Sequence, residues 1–324
     1  MTRLTAWKLG IAALALGAAG LAAAQTGRTA PVRITSAFPT GSGPDVVTRL
    51  VAEKLAAKWG QPVIVDAKPG GAGVPAINAM KRLAPTGNEL VVVDVGNLSI
   101  NPLIFKNLGY DPEKELTPVA LLYKTAFFIA VGANSKIQSV KDLMAEAAKP
   151  PGVSYGSNAV GGPIHLASAR LESALGAEML HVPYKETSQL YAAVSTGEVS
   201  WAYGSAVSAG PLLRAGKLRF LAVADRARSP VLPEVPTLEE AGGPMGIDAL
   251  AWVALMAPAG TPPAVVDDIN KAVNEALSQP DVKDKFAAFA FTISPGPAQQ
   301  LADLMRSDRA KYAEVLKRVK VSID

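Results

Sequence analysis

The chain has 324 residues, no cysteine, two histidines and a formal net charge of +4, with 49% hydrophobic and 19% charged residues. This apolar content excludes a disordered chain, and the absence of cysteine excludes a disulfide scaffold, an iron–sulfur cluster and a cysteine nucleophile. The length predicts two domains, and the small aromatic content of 6% without a basic run makes nucleic acid a poor partner.

The first 24 residues have the pattern of a secretory signal peptide. Arg3 and Lys8 form a basic start, residues 9–21 are apolar, and small residues precede Gln25. The apolar stretch is shorter than the roughly 20 residues of a membrane span, although an anchor is the alternative. We expect cleavage near Ala24 and a mature chain in the periplasm, where nucleotide cofactors are scarce. No cofactor and no metal are therefore predicted.

Beyond residue 30, short β-rich runs alternate with helical patterns. The predicted strands are residues 32–37, 63–66, 90–95, 126–131, 153–156, 179–182, 199–203, 218–224 and 251–257. Helices are predicted to begin near Pro44, Pro163, Pro263 and Pro297. This alternation indicates an α/β fold with mainly parallel sheets covered by helices on both faces.

A glycine-rich loop, FPTGSGPD at residues 38–45, follows the first predicted strand and opens a helix. The spacing of Ser42 and Asp45 predicts a capping box, in which Ser42 accepts a bond from one helix amide and Asp45 reaches back to another. The loop presents the amino end of a helix, where unpaired N–H groups and the helix dipole favour an anion.

A second glycine-rich loop, YGSNAVGGPIH at residues 155–165, also follows a strand and opens a helix. Gly161 and Gly162 stand where a capping hydroxyl or carboxylate is usual, so we expect helix amides that need water or a ligand. Either loop alone is compatible with an ordinary turn. The matched pair favours a cleft for a small anion, to which each helix end would contribute ~0.3–2 kcal/mol.

Two other motifs resemble catalytic or cofactor signatures. Ser154 lies in a G-x-S-x-G match, but it precedes the helix by about nine residues, whereas a hydrolase places its serine on the turn. Residues 71–76 with Asp94 resemble a dinucleotide fingerprint, for which we favour a tight turn. His165 is expected to bond the backbone. Trp252 is expected either in the core or on a cleft wall.

Taken together, short segments along the chain resemble one family: the Bordetella-uptake-gene-type solute-binding receptors of tripartite tricarboxylate transporters. The resemblance spans about residues 31–324. The segments are PVRI (31–34), FPTGSGPD (38–45), GQPVIV (60–65), KPGGAG (68–73), INP (100–102), LTPVA (116–120), YGS (155–157), HL (165–166), HVPYK (181–185), AGKLR (215–219), LPEVPT (232–237) and APAGTP (257–262).

The resemblance implies a two-domain periplasmic-binding-protein fold of type II, or Venus flytrap, with two crossover strands. Domain 1 would comprise residues 25–125 and 252–324, and domain 2 residues 126–251. It also implies a monomeric receptor that is not an enzyme, that binds a small carboxylate through both loops, and that delivers it to the membrane subunits of a tripartite tricarboxylate-type transporter.

The chain departs from the family pattern at several positions. Pro44 replaces a threonine, Gly162 and Pro163 replace hydroxyl residues, Glu186 replaces a glycine, and Gly204 stands where amino-acid-binding relatives have an aspartate. A buried ammonium group needs a paired charge. We therefore expect a carboxylic acid without an α-amino group, such as a dicarboxylate or an aromatic acid.

The candidate ligand-binding residues lie on the two loops or at other predicted strand ends. They are Phe38, Thr40, Gly41, Ser42, Gly43, Asp45, Asn97, Ser99, Thr125, Ser157, Asn158, Val160, Gly161, Gly162, Tyr184, Lys185, Gly204, Ser205 and Trp252. Tyr184 and Lys185 could equally form a solvated strand end. Two other functions stay open: a secreted esterase that uses Ser154, and a receptor that signals to a sensor.

Overall fold

Two mixed β-sheets with helices on their faces form the fold, which the computed structural model describes over residues 30–158 and 160–318. The predicted signal peptide lies outside these residues. The strands are β1 (Val32–Ser36), β2 (Val63–Ala67), β3 (Glu89–Asp94), β4 (Leu116–Ala126), β5 (Phe128–Gly132), β6 (Ser154–Ser157), β7 (Leu180–Pro183), β8 (Trp201–Gly204), β9 (Leu218–Val223), β10 (Leu250–Pro258) and β11 (Thr292–Ile293).

Helices follow most of the strands, as the alternating pattern predicts. They are α1 (Gly43–Trp59), α2 (Val74–Met80), α3 (Asn101–Ile104), α4 (Pro112–Glu115), α5 (Val140–Ala147), α6 (Pro163–Leu175), α7 (Thr187–Thr196), α8 (Gly210–Arg214), α9 (Pro263–Leu277), α10 (Pro280–Ala288) and α11 (Ala298–Leu316). Among the described residues, no helix has the length and apolar character needed to cross a membrane.

The first sheet has the strand order β11-β4-β10-β3-β1-β2, and the second has the order β7-β6-β8-β5-β9. In the first, β1 pairs in parallel with β2 and β3; in the second, β6 pairs in parallel with β7 and β8. The remaining pairs are antiparallel. The predicted parallel pairing thus holds for three strands of each sheet, and the strands next to the crossovers make both sheets mixed.

The chain crosses between the sheets twice, once from β4 to β5 and once from β9 towards β10. The two connections lie side by side. Phe127 N–H donates to Ala249 O at 2.9 Å, and Ala224 N–H donates to Phe127 O at 2.9 Å. A short, doubly bonded crossing of this kind is a suitable hinge for two α/β domains. The domain boundaries at residues 125/126 and 251/252 stay predictions.

Strand β4 is the main element that the sequence patterns do not predict. It contains Pro118, which lacks a backbone donor and is normally confined to edges or irregularities. In the structure Pro118 lies opposite Met256, beside a register shift between Leu255 and Met256. The irregular pairing accommodates the proline inside a strand of 11 residues.

The apolar core fills both faces of both sheets. One cluster packs α1 and α9 on the first sheet, and a second packs α2 and α11 on its other face. Leu166 of α6, a helix of the second sheet, is fully buried in this second cluster. The two halves are therefore packed together beside the crossovers, on the side of α11.

Candidate functional site

The two glycine-rich loops occupy equivalent positions in the two sheets. The first leaves β1, which lies between β2 and β3, and the second leaves β6, which lies between β7 and β8. Each loop follows the middle strand of a parallel trio and runs into a helix, α1 or α6. Ligand sites of open α/β sheets lie outside the carboxyl ends of the strands, which is where both loops are.

A carboxylate fastens the first loop. Asp45 is buried, and its Oδ2 accepts bonds from Gly41 N–H at 2.8 Å and from Arg49 Nε at 3.0 Å. Gly41 has a φ of +80°, a conformation that favours glycine. Thr40 and Gly41 are exposed, so the tip of the loop is open to solvent while its base is tied to α1.

The predicted capping box is wrong in its details. Ser42 is the cap residue of α1, with φ −67° and ψ 160°, but its side chain makes no capping bond. Asp45 does reach back, but to Gly41, whereas the Ser42 N–H donates to Pro39 O at 3.1 Å. Within the described residues, Ser42 Oγ and Asp45 Oδ1 are both buried and have no hydrogen-bond partner. Such atoms are uncommon in native proteins and call for a water or a ligand.

An aromatic cluster supports the inner side of the first loop. A Cβ at Gly43 would lie 3.1 Å from the Phe291 ring, which stacks on Tyr123 at 4.0 Å. Phe38 and Phe289 pack against the same core. Glycine at position 43 lets α1 approach this cluster closely. The sequence did not single out Phe289 or Phe291, since they lie some 250 residues from the loop.

Both ends of the second loop are bonded to histidines. Gly161 N–H donates to His165 Nδ1 at 2.9 Å, and Ser157 Oγ lies 2.8 Å from His181 Nε2. Gly161 has a φ of +75°. The Gly161 amide is therefore not free, contrary to the prediction. Gly162 caps α6 without any side-chain hydrogen bond among the described residues, as predicted.

The two histidines stack on each other. Their ring centroids are 3.8 Å apart with an interplanar angle of 13°, and Tyr155 stacks 5.1 Å from His181. Burial and the neighbouring His181 lower the pKa of His165 to about 4. Burial also lowers the pKa of His181. Both rings are consequently neutral at pH 7. The expectation that His165 bonds the backbone is confirmed.

The tip of the second loop faces solvent. Asn158 is exposed and its Nδ2 lies 3.4 Å from Thr187 Oγ1, a weak contact. Val160 is 46% exposed. Asn158 and Val160 are thus both exposed, on a loop whose base is fixed by hydrogen bonds to the histidines.

Gly204 and Ser205 lie at the end of β8. A Cβ at Gly204 would meet the Tyr191 ring at 3.0 Å, so Tyr191 fills the space next to this glycine. Tyr191 is fixed by its hydroxyl, which donates to Tyr203 O at 3.2 Å. The Ser205 hydroxyl bonds Ser208 within its own turn, which makes it a turn residue rather than a free donor.

Two of the predicted ligand residues use their polar atoms inside the protein. Asn97 is buried and bonds Asp94 N–H and Ala72 O, which pins the turn at Ala72. Ser99 is fully buried and donates to Met305 O at 3.2 Å. We therefore withdraw Asn97 and Ser99 as ligand candidates, because a ligand would have to displace these bonds. The Tyr184 hydroxyl donates to Glu198 Oε1 at 3.1 Å at the exposed surface, and Tyr184 stays a prediction.

Trp252 lies in the core rather than on an open wall. It is 1% exposed, and its Nε1 donates to Asp308 Oδ2 at 2.6 Å. It borders a cavity of about 540 Å³ beside the crossovers. Asp248 bridges the two halves there, bonding Arg170 of α6 at 2.8 Å and Lys311 of α11 at 2.9 Å. This charge network is satisfied internally and ties α6 to α11.

Thr125 and Lys185 are two further candidate ligand residues. Thr125 is half-buried on β4, opposite Ala251. Lys185 is exposed just after β7. Both positions stay predictions.

The G-x-S-x-G match around Ser154 and the fingerprint-like turn at residues 71–76 have structural roles. Ser154 begins β6 and exchanges bonds with Ser200, with Ser200 N–H 3.1 Å from Ser154 Oγ. Ala72, in the fingerprint-like turn, has a φ of +52°, and its carbonyl accepts from Asn97 and Asn101. Across the two described ranges, no group of three His, Asp or Glu side chains is arranged to hold a metal ion.

Comparison with known proteins shows the same fold. The family model described as the tripartite tricarboxylate transporter family receptor matches residues 47–321. BugT of Bordetella pertussis is 29% identical over 319 residues, covering 98% of this chain and 97% of that protein.

Two solved structures from Rhodopseudomonas palustris are similar along most of the chain. Rpa4515 with adipate has a TM-score of 0.80 at 27% identity, covering 91% of this chain and 98% of that one. MatC with bound malate has a TM-score of 0.75 at 27% identity, covering 89% and 99%. The family match spans most of the sequence, including the whole of β6, the second loop and α6. The chain belongs to the tripartite tricarboxylate transporter receptor family of periplasmic solute-binding proteins.

Proposed function

We propose that this protein is a periplasmic receptor that captures a small carboxylate between its two domains and delivers it to the membrane subunits of a tripartite tricarboxylate-type transporter. The observation that carries the proposal is the pair of loops at equivalent positions in the two sheets. Each presents the amino end of a helix to the same kind of site. Family membership and relatives with bound malate and adipate support it.

The loops offer complementary donors for a carboxylate. The amino ends of α1 and α6, with their helix dipoles, would stabilise its negative charge. The Gly41 and Gly161 amides would not contribute, because they already donate to Asp45 and His165. Thr40, Ser42 and Asn158 would orient the ligand, with Phe38 as an apolar wall. The unpartnered Ser42 Oγ supports this view, because its hydroxyl can donate to a ligand carboxylate. Asp45 Oδ1 can only accept, so a water or a ligand hydroxyl would satisfy it.

The surroundings of Gly204 favour an acid without an α-amino group. Tyr191 occupies the space beside Gly204, so this position provides no carboxylate to pair with an ammonium group. The malate and adipate of the two similar structures are both dicarboxylates that lack an amino group. We propose a dicarboxylate or an aromatic acid as the ligand.

Binding would close the two domains about the crossover connections. The hinge consists of two neighbouring strands of backbone joined by hydrogen bonds between Phe127, Ala224 and Ala249. Domain closure around a ligand is the usual motion of such receptors. We propose that the closed, monomeric form is the one that the membrane subunits recognise, after export by a signal peptide that is cleaved near Ala24.

The esterase alternative has little support. Ser154 lies on a strand and bonds Ser200. The serine that does contact an imidazole, Ser157, is fully buried, and its partner His181 stacks on His165. We propose that the protein is not an enzyme. Hydrolysis of a chromogenic ester that is lost in Ser154→Ala would contradict this.

Thermal unfolding of the mature protein against a panel of carboxylates and amino acids tests the proposal. A ligand at 100 times its Kd adds about 2.7 kcal/mol, which raises Tm by several degrees. We expect succinate-, adipate-, malate- or phthalate-type acids to give the larger shifts. Tighter binding of aspartate or glutamate would overturn the proposed ligand class. The protein should first be refolded to remove any bound ligand. If no carboxylate then raises Tm, the proposed site is overturned.

Co-purification decides between transport and signalling. We expect the ligand-loaded receptor to bind detergent-solubilised membrane subunits of the transporter and the ligand-free receptor to bind them less. Binding to the periplasmic domain of a sensor kinase instead would favour the signalling alternative.

A further inference from the structure

The second loop is held by the only two histidines of the chain. Ser157, at its start, contacts His181 Nε2 at 2.8 Å. Gly161, near its end, donates its N–H to His165 Nδ1 at 2.9 Å. The two rings lie flat against each other at 3.8 Å. One stacked pair therefore contacts both ends of a loop of five residues.

We propose that the stacked pair His165–His181 positions the second loop, and that proton uptake at His165 Nδ1 releases Gly161 and loosens the loop. The histidines act through the backbone and not on the ligand, so they are positioning residues. The effect on ligand affinity rests on the proposed function. The bond between Gly161 and His165 does not.

The hydrogen bond defines which nitrogen carries the proton. Gly161 N–H can only donate, so His165 Nδ1 must be the unprotonated nitrogen, and the neutral ring carries its proton on Nε2. A proton from solvent would occupy the lone pair of Nδ1. The imidazolium has no acceptor, so the bond to Gly161 would be lost. Protonation of His165 would also place a positive charge against the stacked ring of His181.

The groups around the pair favour the neutral state. Tyr155 on β6 stacks on both rings, and its hydroxyl bonds Glu172 on α6, which interacts in turn with Glu178 before β7. Glu172 is engaged with the Tyr155 hydroxyl and accepts Met179 N–H at 2.6 Å. Burial raises the pKa of Glu172. Burial and His181 keep the pKa of His165 low, at about 4.

Nitrogen-15 NMR of the two imidazoles tests directly, without any ligand, whether protonation of His165 releases Gly161. At pH 7 we expect His165 to show an unprotonated Nδ1 and a protonated Nε2. As the pH falls, the Gly161 amide should lose hydrogen-exchange protection with the same midpoint as His165 protonation. A protonated Nδ1 at pH 7, or a Gly161 amide indifferent to the titration, would overturn the proposal.

Two variants separate the role of His165 Nδ1 as an acceptor from the role of its ring in stacking. His165→Asn keeps an acceptor oxygen at the place of Nδ1, whereas His165→Phe keeps a ring for stacking and removes the acceptor. We expect Gly161 exchange to accelerate at least tenfold in His165→Phe and to stay within about threefold of wild type in His165→Asn. Equal exchange in the two variants, with both folded by circular dichroism, would overturn the proposal.

Calorimetric titration with adipate and malate measures the consequence for binding. We expect His165→Phe to weaken the affinity about tenfold and His165→Asn to retain it. Wild-type affinity should fall in mild acid more steeply than that of His165→Asn. If the wild type binds neither acid, the exchange experiment still decides the role of the histidines. Normal affinity in His165→Phe would contradict the positioning role.

Discussion

The two ligand loops have the same place in the fold but are fastened by different chemistry. The first is tied by the carboxylate of Asp45, which binds Gly41 and the guanidinium of Arg49. The second is tied by the neutral imidazoles of His165 and His181. Equivalent topology therefore does not imply equivalent anchoring. The two halves of the proposed site should therefore differ in their response to mutation and to pH.

The energetic difference follows from charge. Hydrogen bonds to charged groups contribute about 1.5–3 kcal/mol, whereas neutral ones contribute about 0.5–1.5 kcal/mol. Asp45 makes two charged bonds from one buried oxygen. The first loop should accordingly be the stiffer half of the site and the second loop the more adaptable half.

The largest effect is expected for Asp45→Ala. It removes the acceptor of Gly41 and a favourable negative charge in the first turn of α1, so stability should fall by about 2–3 kcal/mol and affinity by roughly 30- to 100-fold. Urea unfolding and calorimetric titration measure the two quantities. Arg49→Gln is the matched control: its side chain is 44% exposed, and its loss should cost about 1 kcal/mol or less. If the control weakened binding as much as Asp45→Ala, the first loop would not depend on the Gly41 bond.

Gly161→Ala should weaken binding about tenfold. Its φ of +75° penalises a side chain by about 1–2 kcal/mol, and relief of that strain would move the loop. Gly176→Ala places similar strain at the far end of the same helix, where Gly176 has a φ of +61° and a Cβ would meet no described atom within 4 Å. Both variants should lose similar stability, but only Gly161→Ala should lose affinity. Equal affinities in the two variants would remove the second loop from the site.

The pH dependence of stability should reveal the imidazole anchor. The pKa of His165 is lowered to about 4 in the folded protein from an ordinary value near 6.5, so the unfolded chain binds a proton first as the pH falls. The stabilisation is complete above about pH 6.5 and is lost progressively towards pH 4. Tm of the wild type should therefore fall more steeply over this range than Tm of His165→Asn. Parallel curves would show that His165 does not titrate with folding.

The smallest effect on stability is expected for Ser42→Ala. A capping serine normally contributes about 1 kcal/mol, but the Ser42 hydroxyl makes no capping bond, so the free energy of unfolding should change by less than about 0.5 kcal/mol. If the hydroxyl contacts the ligand or its water, affinity should fall severalfold at unchanged stability. A stability loss near 1 kcal/mol would mean that Ser42 caps α1 in solution.

The fold was predictable because turn residues mark where its strands and helices begin and end. Glycine and proline delimit β1, α1, β6 and α6, so the alternating pattern and the two loops are visible in the sequence. Strand β4 was not predicted, because Pro118 argues against a strand unless the irregular pairing with Met256 is known. That pairing depends on a strand more than a hundred residues away.

The site was less predictable, since sequence does not tell which partner a polar side chain finds. Asn97 and Ser99 lie after a strand end, as ligand residues do, yet they bond Ala72 and Met305. The stacking of the two histidines was also missed. Their spacing along the chain gives no sign of stacking, although the four-residue spacing of Gly161 and His165 fits a bond across the first turn of a helix.

The most direct test of joint binding by the two loops is a comparison of ligand-induced Tm shifts in four proteins. These are the wild type, Asp45→Ala, Gly161→Ala and Gly176→Ala, each with the dicarboxylate that stabilises the wild type most. We predict a shift of several degrees in the wild type and in Gly176→Ala, and a much smaller shift in both loop variants. A full shift in either Asp45→Ala or Gly161→Ala would contradict the claim that both loops hold the ligand.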